Sequence, residues 1–122
     1  MIQGNFGSKG ELYFEIELIA VDGSVVAVDA LLDTGFTEWL AMDIQDILSL
    51  GWLYVDRQEM HTARGDVIFN RYQGTVSFNG QKLTIPILAG EEITEVLIGL
   101  PWLETRRLVV DRKVGLLTLG ED

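Results

Sequence analysis

The sequence contains no cysteine and a single histidine, His61, among its 122 residues. Without cysteine, the chain can form no disulfide, use no thiol nucleophile and bind no metal through thiolate ligands. With one histidine, a serine–histidine catalytic pair has only one possible base, and a zinc site would depend almost entirely on acidic ligands. We therefore predict that the protein holds no metal ion and needs no cofactor.

Positive charge and long apolar runs are also scarce. The chain has 9 basic and 19 acidic residues, for a net charge of −10. An acidic surface repels phosphate groups, so nucleic acid and anionic membranes are poor candidate partners. No apolar run reaches the roughly 18 residues of a membrane-spanning helix, and residues 1–10 lack the basic start and apolar stretch of a signal peptide. These absences predict a cytoplasmic protein.

Proline is rare, with 2 residues, whereas the chain has 13 glycines and is 48% hydrophobic. This composition is typical of a folded chain and not of a disordered one. The length suits one domain. We therefore predict a single domain over residues 1–122.

Most of the chain has the pattern of β-strands. Over residues 11–20, apolar side chains alternate with polar ones, which is typical of a half-buried strand. The apolar members are Leu12, Phe14, Ile16 and Leu18. Asp22-Gly23 and Asn79-Gly80 are strong hairpin signals. Pro86 interrupts the strand predicted over residues 82–88, which favours an edge strand or an outward-pointing backbone position there.

Two short helices are predicted between the strands. Asp43 stands where an N-cap is expected and Gly51 where a helix ends, which predicts a helix over residues 44–50. Pro101 suits the first turn of a second helix, predicted to run to about Arg107. The basic residues there would then complement the helix C-terminus.

The tripeptide Asp33-Thr34-Gly35 occurs once and follows the apolar run Ala30-Leu31-Leu32. Thr37 stands two residues after the glycine, and Leu97-Ile98-Gly99 repeats the apolar-apolar-glycine pattern 64 positions after Gly35. A carboxylate at the end of a buried strand can activate water. If that chemistry needs a carboxylate pair, the second must come from a second copy of the chain. The tripeptide is also compatible with an ordinary turn, because all three residues favour loops.

Taken together, these segments resemble the retropepsin-like aspartic proteases, the single-domain relatives of pepsin and of retroviral proteases. The resemblance spans about residues 12–119, and the matching segments are 31–37, the hairpin 62–68 and 96–103. It implies a mainly β fold, a small closed β-barrel with one or two short helices. Phe36 departs from the alanine usual in the retroviral enzymes, although bacterial relatives carry a bulky residue there.

The resemblance implies a role for each residue of the Asp33 loop. Asp33 would be the catalytic carboxylate, facing the Asp33 of a second subunit across a two-fold axis. Thr34 would reach the loop of that subunit and brace it. Gly35 would bring its backbone N–H close to the carboxylate, and Thr37 would donate to the outer carboxylate oxygen. Leu97, Ile98 and Gly99 would form the second apolar-apolar-glycine segment beside this loop.

The resemblance also implies a mobile flap that covers the substrate. Its tip would comprise Thr62, Ala63, Arg64, Gly65 and Asp66. A flap must open for substrate and then exclude water, which suits small residues and a glycine. The same residues are also compatible with a plain β-hairpin turn.

The function that the resemblance implies is that of a homodimeric aspartic endopeptidase, whose partners are a second copy of the chain and a peptide or protein substrate. Two alternatives remain open from the sequence. One is a dimeric peptide-binding or assembly module of the same fold whose carboxylate pair is silent. The other is a monomeric β-barrel in which the Asp-Thr-Gly tripeptide is incidental.

Overall fold

The structure is a computed structural model that describes residues 1–63 and 65–121, except for the side chain of Thr62. In chain order, the elements are β1 (Ile2–Gln3), β2 (Asn5–Phe6), β3 (Leu12–Ile19), β4 (Val25–Leu32), β5 (Leu40–Asp43), α1 (Ile44–Leu50), β6 (Leu53–Thr62), β7 (Gly65–Phe78), β8 (Gln81–Gly90), β9 (Val96–Ile98), a 3-10 helix (Leu100–Leu103), β10 (Arg107–Asp111) and β11 (Leu116–Gly120).

Six strands close into a barrel. They are hydrogen-bonded in the order β3, β4, β9, β5, β8 and β7. The circle closes because β7 pairs back onto β3, with Thr75 opposite Ile19 and Ser77 opposite Glu17. Closure leaves no free edge between these strands. The predicted fold, a mainly β closed barrel with one or two short helices, is confirmed.

The barrel interior follows from the alternation along β3. Phe14, Ile16 and Leu18 are at most 2% exposed, whereas Glu15 and Glu17 face solvent. Successive side chains of a strand point to opposite faces, so one apolar set fills the barrel. Each fully buried side chain of this size contributes roughly 1.5–3 kcal/mol to stability. The core continues into the other strands and the two helices through Leu40, Ile47, Ile87, Ile98 and Trp102, among others.

The first helix has the predicted bounds. A side-chain oxygen of Asp43 accepts a hydrogen bond from the Gln45 backbone N–H at 3.0 Å, which satisfies one of the free donors of the first turn. Gly51 ends the helix in the left-handed region with φ of 77°. Ile47 and Leu50 are buried against the barrel.

The second predicted helix is wrong in length. A 3-10 helix begins with Leu100 and Pro101 and ends at Leu103, and β10 begins at Arg107. Two tertiary contacts account for the early end. Arg107 pairs with Gly120 of β11, and the guanidinium of Arg106 lies 5.3 Å from the ring centroid of Trp102. Arg107 therefore begins a strand and Arg106 packs on an aromatic ring, so neither residue caps a helix.

The turn around Asn79 and Gly80 is the predicted hairpin turn. Their φ angles are 52° and 79°, both in the left-handed region that two-residue hairpin loops require. The strand that follows is only partly an edge. Pro86 pairs with Gln73 of β7, whereas pairing with β5 begins one residue later, at Ile87. Pro86 therefore precedes the part of β8 that has neighbours on both sides.

A second, three-stranded sheet joins the two ends of the described chain. It has the order β1, β11, β10, and all its pairings are antiparallel. Across residues 1–63 and 65–121, no helix combines the length and the apolar character needed to cross a membrane.

Candidate active site

Asp33 stands directly after the end of β4, where the chain leaves the barrel core. Its backbone N–H donates to the carbonyl of Ile98 at 2.9 Å, and its own carbonyl accepts from the N–H of Phe36 at 3.0 Å. Its carboxylate oxygen Oδ1 accepts a hydrogen bond from the backbone N–H of Gly35 at 2.9 Å. Leu32 before it is buried, whereas Asp33 itself is exposed. The fold therefore presents a carboxylate to solvent from a backbone held on both sides.

The Asp33 loop, residues 33–39, is locked by a strand that threads past it. β9 runs parallel to β4 on one side, with Ile98 opposite Leu32, and antiparallel to β5 on the other, with Ile98 opposite Leu40. Just beyond β9, the N–H of Leu100 donates to the carbonyl of Phe36 at 2.9 Å. The predicted segment Leu97-Ile98-Gly99 thus lies directly against this loop.

Just after β9 the chain passes so close to the Asp33 loop that position 99 has no room for a side chain. We call this close approach the crossing. A Cβ atom on Gly99 would lie 2.3 Å from the Glu38 carbonyl oxygen and 2.4 Å from that of Phe36. Both neighbours are backbone atoms, which cannot swing away as a flexible side chain can. The φ of Gly99 is −124°, so it is the close approach of the loop and not an unusual backbone angle that excludes a side chain.

Two tryptophans fasten the far end of the loop. The indole Nε1–H of Trp102 donates to the carbonyl of Trp39 at 2.8 Å, and the two rings meet edge to face at 5.5 Å. The N–H of Gly99 donates to the same carbonyl at 3.3 Å. Trp102 is fully buried, and its contact with the loop could not be predicted from the sequence. The only local signal was its place three residues after Gly99.

Thr34 and Thr37 are exposed in the single chain. Thr34 adjoins the carboxylate-bearing residue, and Thr37 lies two residues beyond Gly35. Their roles in bracing a second subunit and in orienting the carboxylate stay predictions. Asp29 lies on β4 opposite Glu15, both exposed, on the outer face of the barrel.

The predicted flap segment lies at the end of a long hairpin. β6 and β7 pair from Leu53 opposite Gln73 out to Thr62 opposite Gly65. The two strands form one ladder with a bulge between Tyr54 and Asp56. Ala63 lies in the turn. Arg64 and the side chain of Thr62 lie outside the described residues, and the flap role of the segment stays a prediction.

One group of side chains on this hairpin has the chemistry to bind a metal ion. Ligand atoms of Glu59, His61 and Asp66 lie within 4.8 Å of one another, and all three residues are exposed. Nδ1 of His61 is also 2.5 Å from a carboxylate oxygen of Asp66. Exposed acidic groups commonly gather in this way without a metal, so the absence of a metal site stays a prediction.

An ion pair closes the hairpin near its bulge. Nε and Nη2 of Arg71 donate to the two carboxylate oxygens of Asp56 at 2.7 and 2.6 Å. These hydrogen bonds lower the pKa of Asp56. The sequence carried no local signal for this pair, because the two residues are 15 positions apart and meet only through the strand register.

This ion pair is expected to survive mild acid. A carboxyl group whose pKa is lower in the folded state stabilises the fold at pH values above its ordinary pKa of 3.8. This contribution is lost as the pH falls through the lowered pKa. We therefore expect the Asp56 carboxyl to remain ionised between pH 7 and pH 5. An NMR titration of the side-chain carboxyl carbon would measure it. A midpoint above 3.8 for Asp56 would contradict the prediction.

The fold that carries this loop is also found in proteins of known structure. No protein-family model matches the chain, and a comparison with curated protein sequences gives no match. Among solved structures, a retropepsin-like aspartic protease from Rickettsia conorii superimposes with a TM-score of 0.70 at 20% identity, over 98% of this chain and 89% of that one.

Two viral proteases are also similar. The simian foamy virus (mac) protease has a TM-score of 0.55 at 20% identity, covering 79% of this chain and 99% of its own. The EIAV protease, in complex with the inhibitor HBY-793, has a TM-score of 0.55 at 13% identity, covering 78% and 86%. The resemblance seen in the sequence is therefore confirmed for the fold, and the chain has the fold of the retropepsin-like aspartic proteases.

Proposed function

We propose that the protein is a homodimeric aspartic endopeptidase in which each subunit contributes one Asp33. The observation that carries the proposal is the placement of this carboxylate. It is exposed at the end of a buried strand, held by the Gly35 N–H at 2.9 Å, in a loop locked by the threaded strand β9. The retropepsin-like fold, shared over nearly the full chain with an aspartic protease, supports the same conclusion.

The proposed chemistry follows from two like charges held in contact. Such a pair cannot be fully ionised, so it shares one proton. The ionised carboxylate removes a proton from a bound water, whose oxygen attacks the peptide carbonyl carbon, while the protonated carboxyl donates to the carbonyl oxygen. The tetrahedral intermediate then collapses. The C–N bond breaks, and the leaving nitrogen receives a proton from the pair. No covalent enzyme intermediate forms, and we expect cleavage to be fastest at mildly acidic pH.

The substrate is proposed to be an extended peptide with apolar side chains around the cleaved bond. It would lie between the Asp33 loop and the hairpin of β6 and β7, with backbone hydrogen bonds like those of an added strand. In the dimer, Thr34 would brace the partner's loop, Thr37 would orient the carboxylate, and the segment from Thr62 to Asp66 would cover the peptide. That residues 1–122 form one domain and that the protein works in the cytoplasm stay predictions.

The test measures assembly, inhibitor binding and cleavage on the same purified protein. We expect a dimer by analytical ultracentrifugation, cleavage within unstructured quenched-fluorescent peptides, and inhibition by a statine-type compound. Such a compound imitates the tetrahedral intermediate and should bind only a working carboxylate pair. A dimer that binds peptide but neither cleaves it nor binds statine would favour the silent module. A monomer at high protein concentration would contradict a shared site.

A further inference from the structure

We propose that Glu38 and Gln58 form a releasable latch that holds the hairpin of β6 and β7 against the Asp33 loop. Glu38 would then be a positioning residue that links closure of the hairpin to the loop that carries the carboxylate. This inference deepens the proposed function, on which its role in substrate access rests. The latch itself can be tested without any substrate.

The contact that forms the latch is short and carries a charge. Nε2 of Gln58 donates to the carboxylate oxygen Oε1 of Glu38 at 2.6 Å, across 20 positions of sequence, in a part-buried setting. Hydrogen bonds to an ionised acceptor are stronger than those between neutral groups. Glu38 and Gln58 thus join the Asp33 loop directly to the hairpin.

Glu38 is also held through its backbone. The position of Gly99 lies so close that a Cβ there would be 2.3 Å from the Glu38 carbonyl oxygen. The main chain of Glu38 therefore belongs to the crossing that locks the Asp33 loop, whereas its side chain belongs to the hairpin contact. A movement of the hairpin at Gln58 would therefore pull on Glu38, whose main chain is packed closely against Gly99.

The other half of the Gln58 amide opposes the contact. Its carbonyl oxygen Oε1 is buried and has no hydrogen-bond partner among the described residues. A buried acceptor without a partner is unfavourable, because it has lost its water and gained nothing in return. Opening the hairpin would return water to this oxygen. Closing the hairpin therefore forms one charge-assisted hydrogen bond but removes water from the Gln58 carbonyl oxygen. Two opposing contributions of this kind are expected of a contact that has to open and close.

The surrounding residues suit a hinge. The bulge between Tyr54 and Asp56 interrupts the ladder near the base of the hairpin, where a bend is easiest. Asp56 and Gln58 are two positions apart on β6, so the Asp56–Arg71 ion pair lies on the same face as the latch. Arg71 also experiences electrostatic attraction from Glu38. Arg71 donates its two hydrogen bonds to Asp56. The hydrogen bond that holds Glu38 is therefore the one from the Gln58 amide.

Amide hydrogen exchange on the peptide-free protein tests the latch. The variant Gln58→Glu sets two carboxylates against each other and should speed exchange at hairpin amides beyond the bulge at least about tenfold at pH 7. The double variant Glu38→Gln with Gln58→Glu restores an amide–carboxylate pair with the roles exchanged. It should return exchange to within about twofold of the unmodified protein.

The matched control is Gln73→Glu, the same chemical change at an exposed position on β7 of the same hairpin. It should leave exchange in the hairpin unchanged. Unaltered exchange in Gln58→Glu, equal acceleration in Gln73→Glu, or a double variant that fails to restore protection would each overturn the latch. Since no substrate is present, rescue by the double variant would stand even if the protein proved unable to cleave peptides, so the two proposals can fail separately.

Discussion

Asp33→Asn is expected to reduce peptide cleavage at least about a thousandfold, because it removes both the base that activates water and the acid that polarises the carbonyl. The fold should tolerate the change. The Asp33 oxygen that accepts from the Gly35 N–H at 2.9 Å would be replaced by an amide oxygen of the same size, which can accept the same hydrogen bond. The measurement is the initial rate on a quenched-fluorescent peptide, with thermal unfolding and sedimentation run on the same samples.

Two controls test whether the loss of cleavage comes from a carboxylate pair shared between subunits. Asp29→Asn makes the same chemical change four residues earlier, on the outer barrel face opposite Glu15, and should leave cleavage unchanged. An excess of the Asp33→Asn chain mixed into the unmodified protein should lower activity in proportion to that excess, because mixed dimers lack one carboxylate. Undiminished activity in that mixture would contradict a site built from two subunits, and cleavage surviving in Asp33→Asn would overturn the mechanism.

Gly99→Ala is expected to destabilise the protein by about 3 kcal/mol or more, at the upper end of what overpacking costs. The new methyl group would lie 2.3 Å from the Glu38 carbonyl oxygen and 2.4 Å from that of Phe36. Relief requires the Asp33 loop and β9 to separate, which would weaken the hydrogen bonds from Gly99 to Trp39 and from Leu100 to Phe36. Urea denaturation followed by tryptophan fluorescence would measure the loss.

Gly35→Ala provides the comparison for stability. A Cβ there meets one atom, the Asp33 carboxylate oxygen Oδ1, at 3.2 Å, so a small side-chain adjustment is sufficient. We expect Gly35→Ala to keep most of the stability that Gly99→Ala loses. Equal unfolding free energies for the two variants would show that the crossing is not packed as tightly as the structure has it.

Local rules account for what could be predicted from the sequence. The alternation along β3 identified a buried face because side chains of a strand change sides at every residue. Asp43 and Gly51 marked both ends of α1 because capping depends on only a few neighbouring residues. Asn79-Gly80 marked its hairpin because its left-handed angles favour those residue types. Asp33-Thr34-Gly35 stood out because its residue types follow an apolar run.

The tertiary structure alone decided where these pieces meet. The chain after Pro101 leaves the helical path early because Arg107 pairs with Gly120 of β11. The contact between Glu38 and Gln58 spans 20 positions, and nothing in either local segment announces it. Such partners are set by strand register and barrel closure, which depend on the whole chain.

The amino-acid sequence by itself determined the alternation of buried and exposed side chains along the strands, the turns, the first helix and the residue that carries the carboxylate. Each of these depends on a few adjacent side chains. Only the tertiary structure decided that β9 passes between β4 and β5 and locks the Asp33 loop. The physical reason is that pairing between distant strands is favourable only once the barrel has closed around a shared core, and no local segment contains that information.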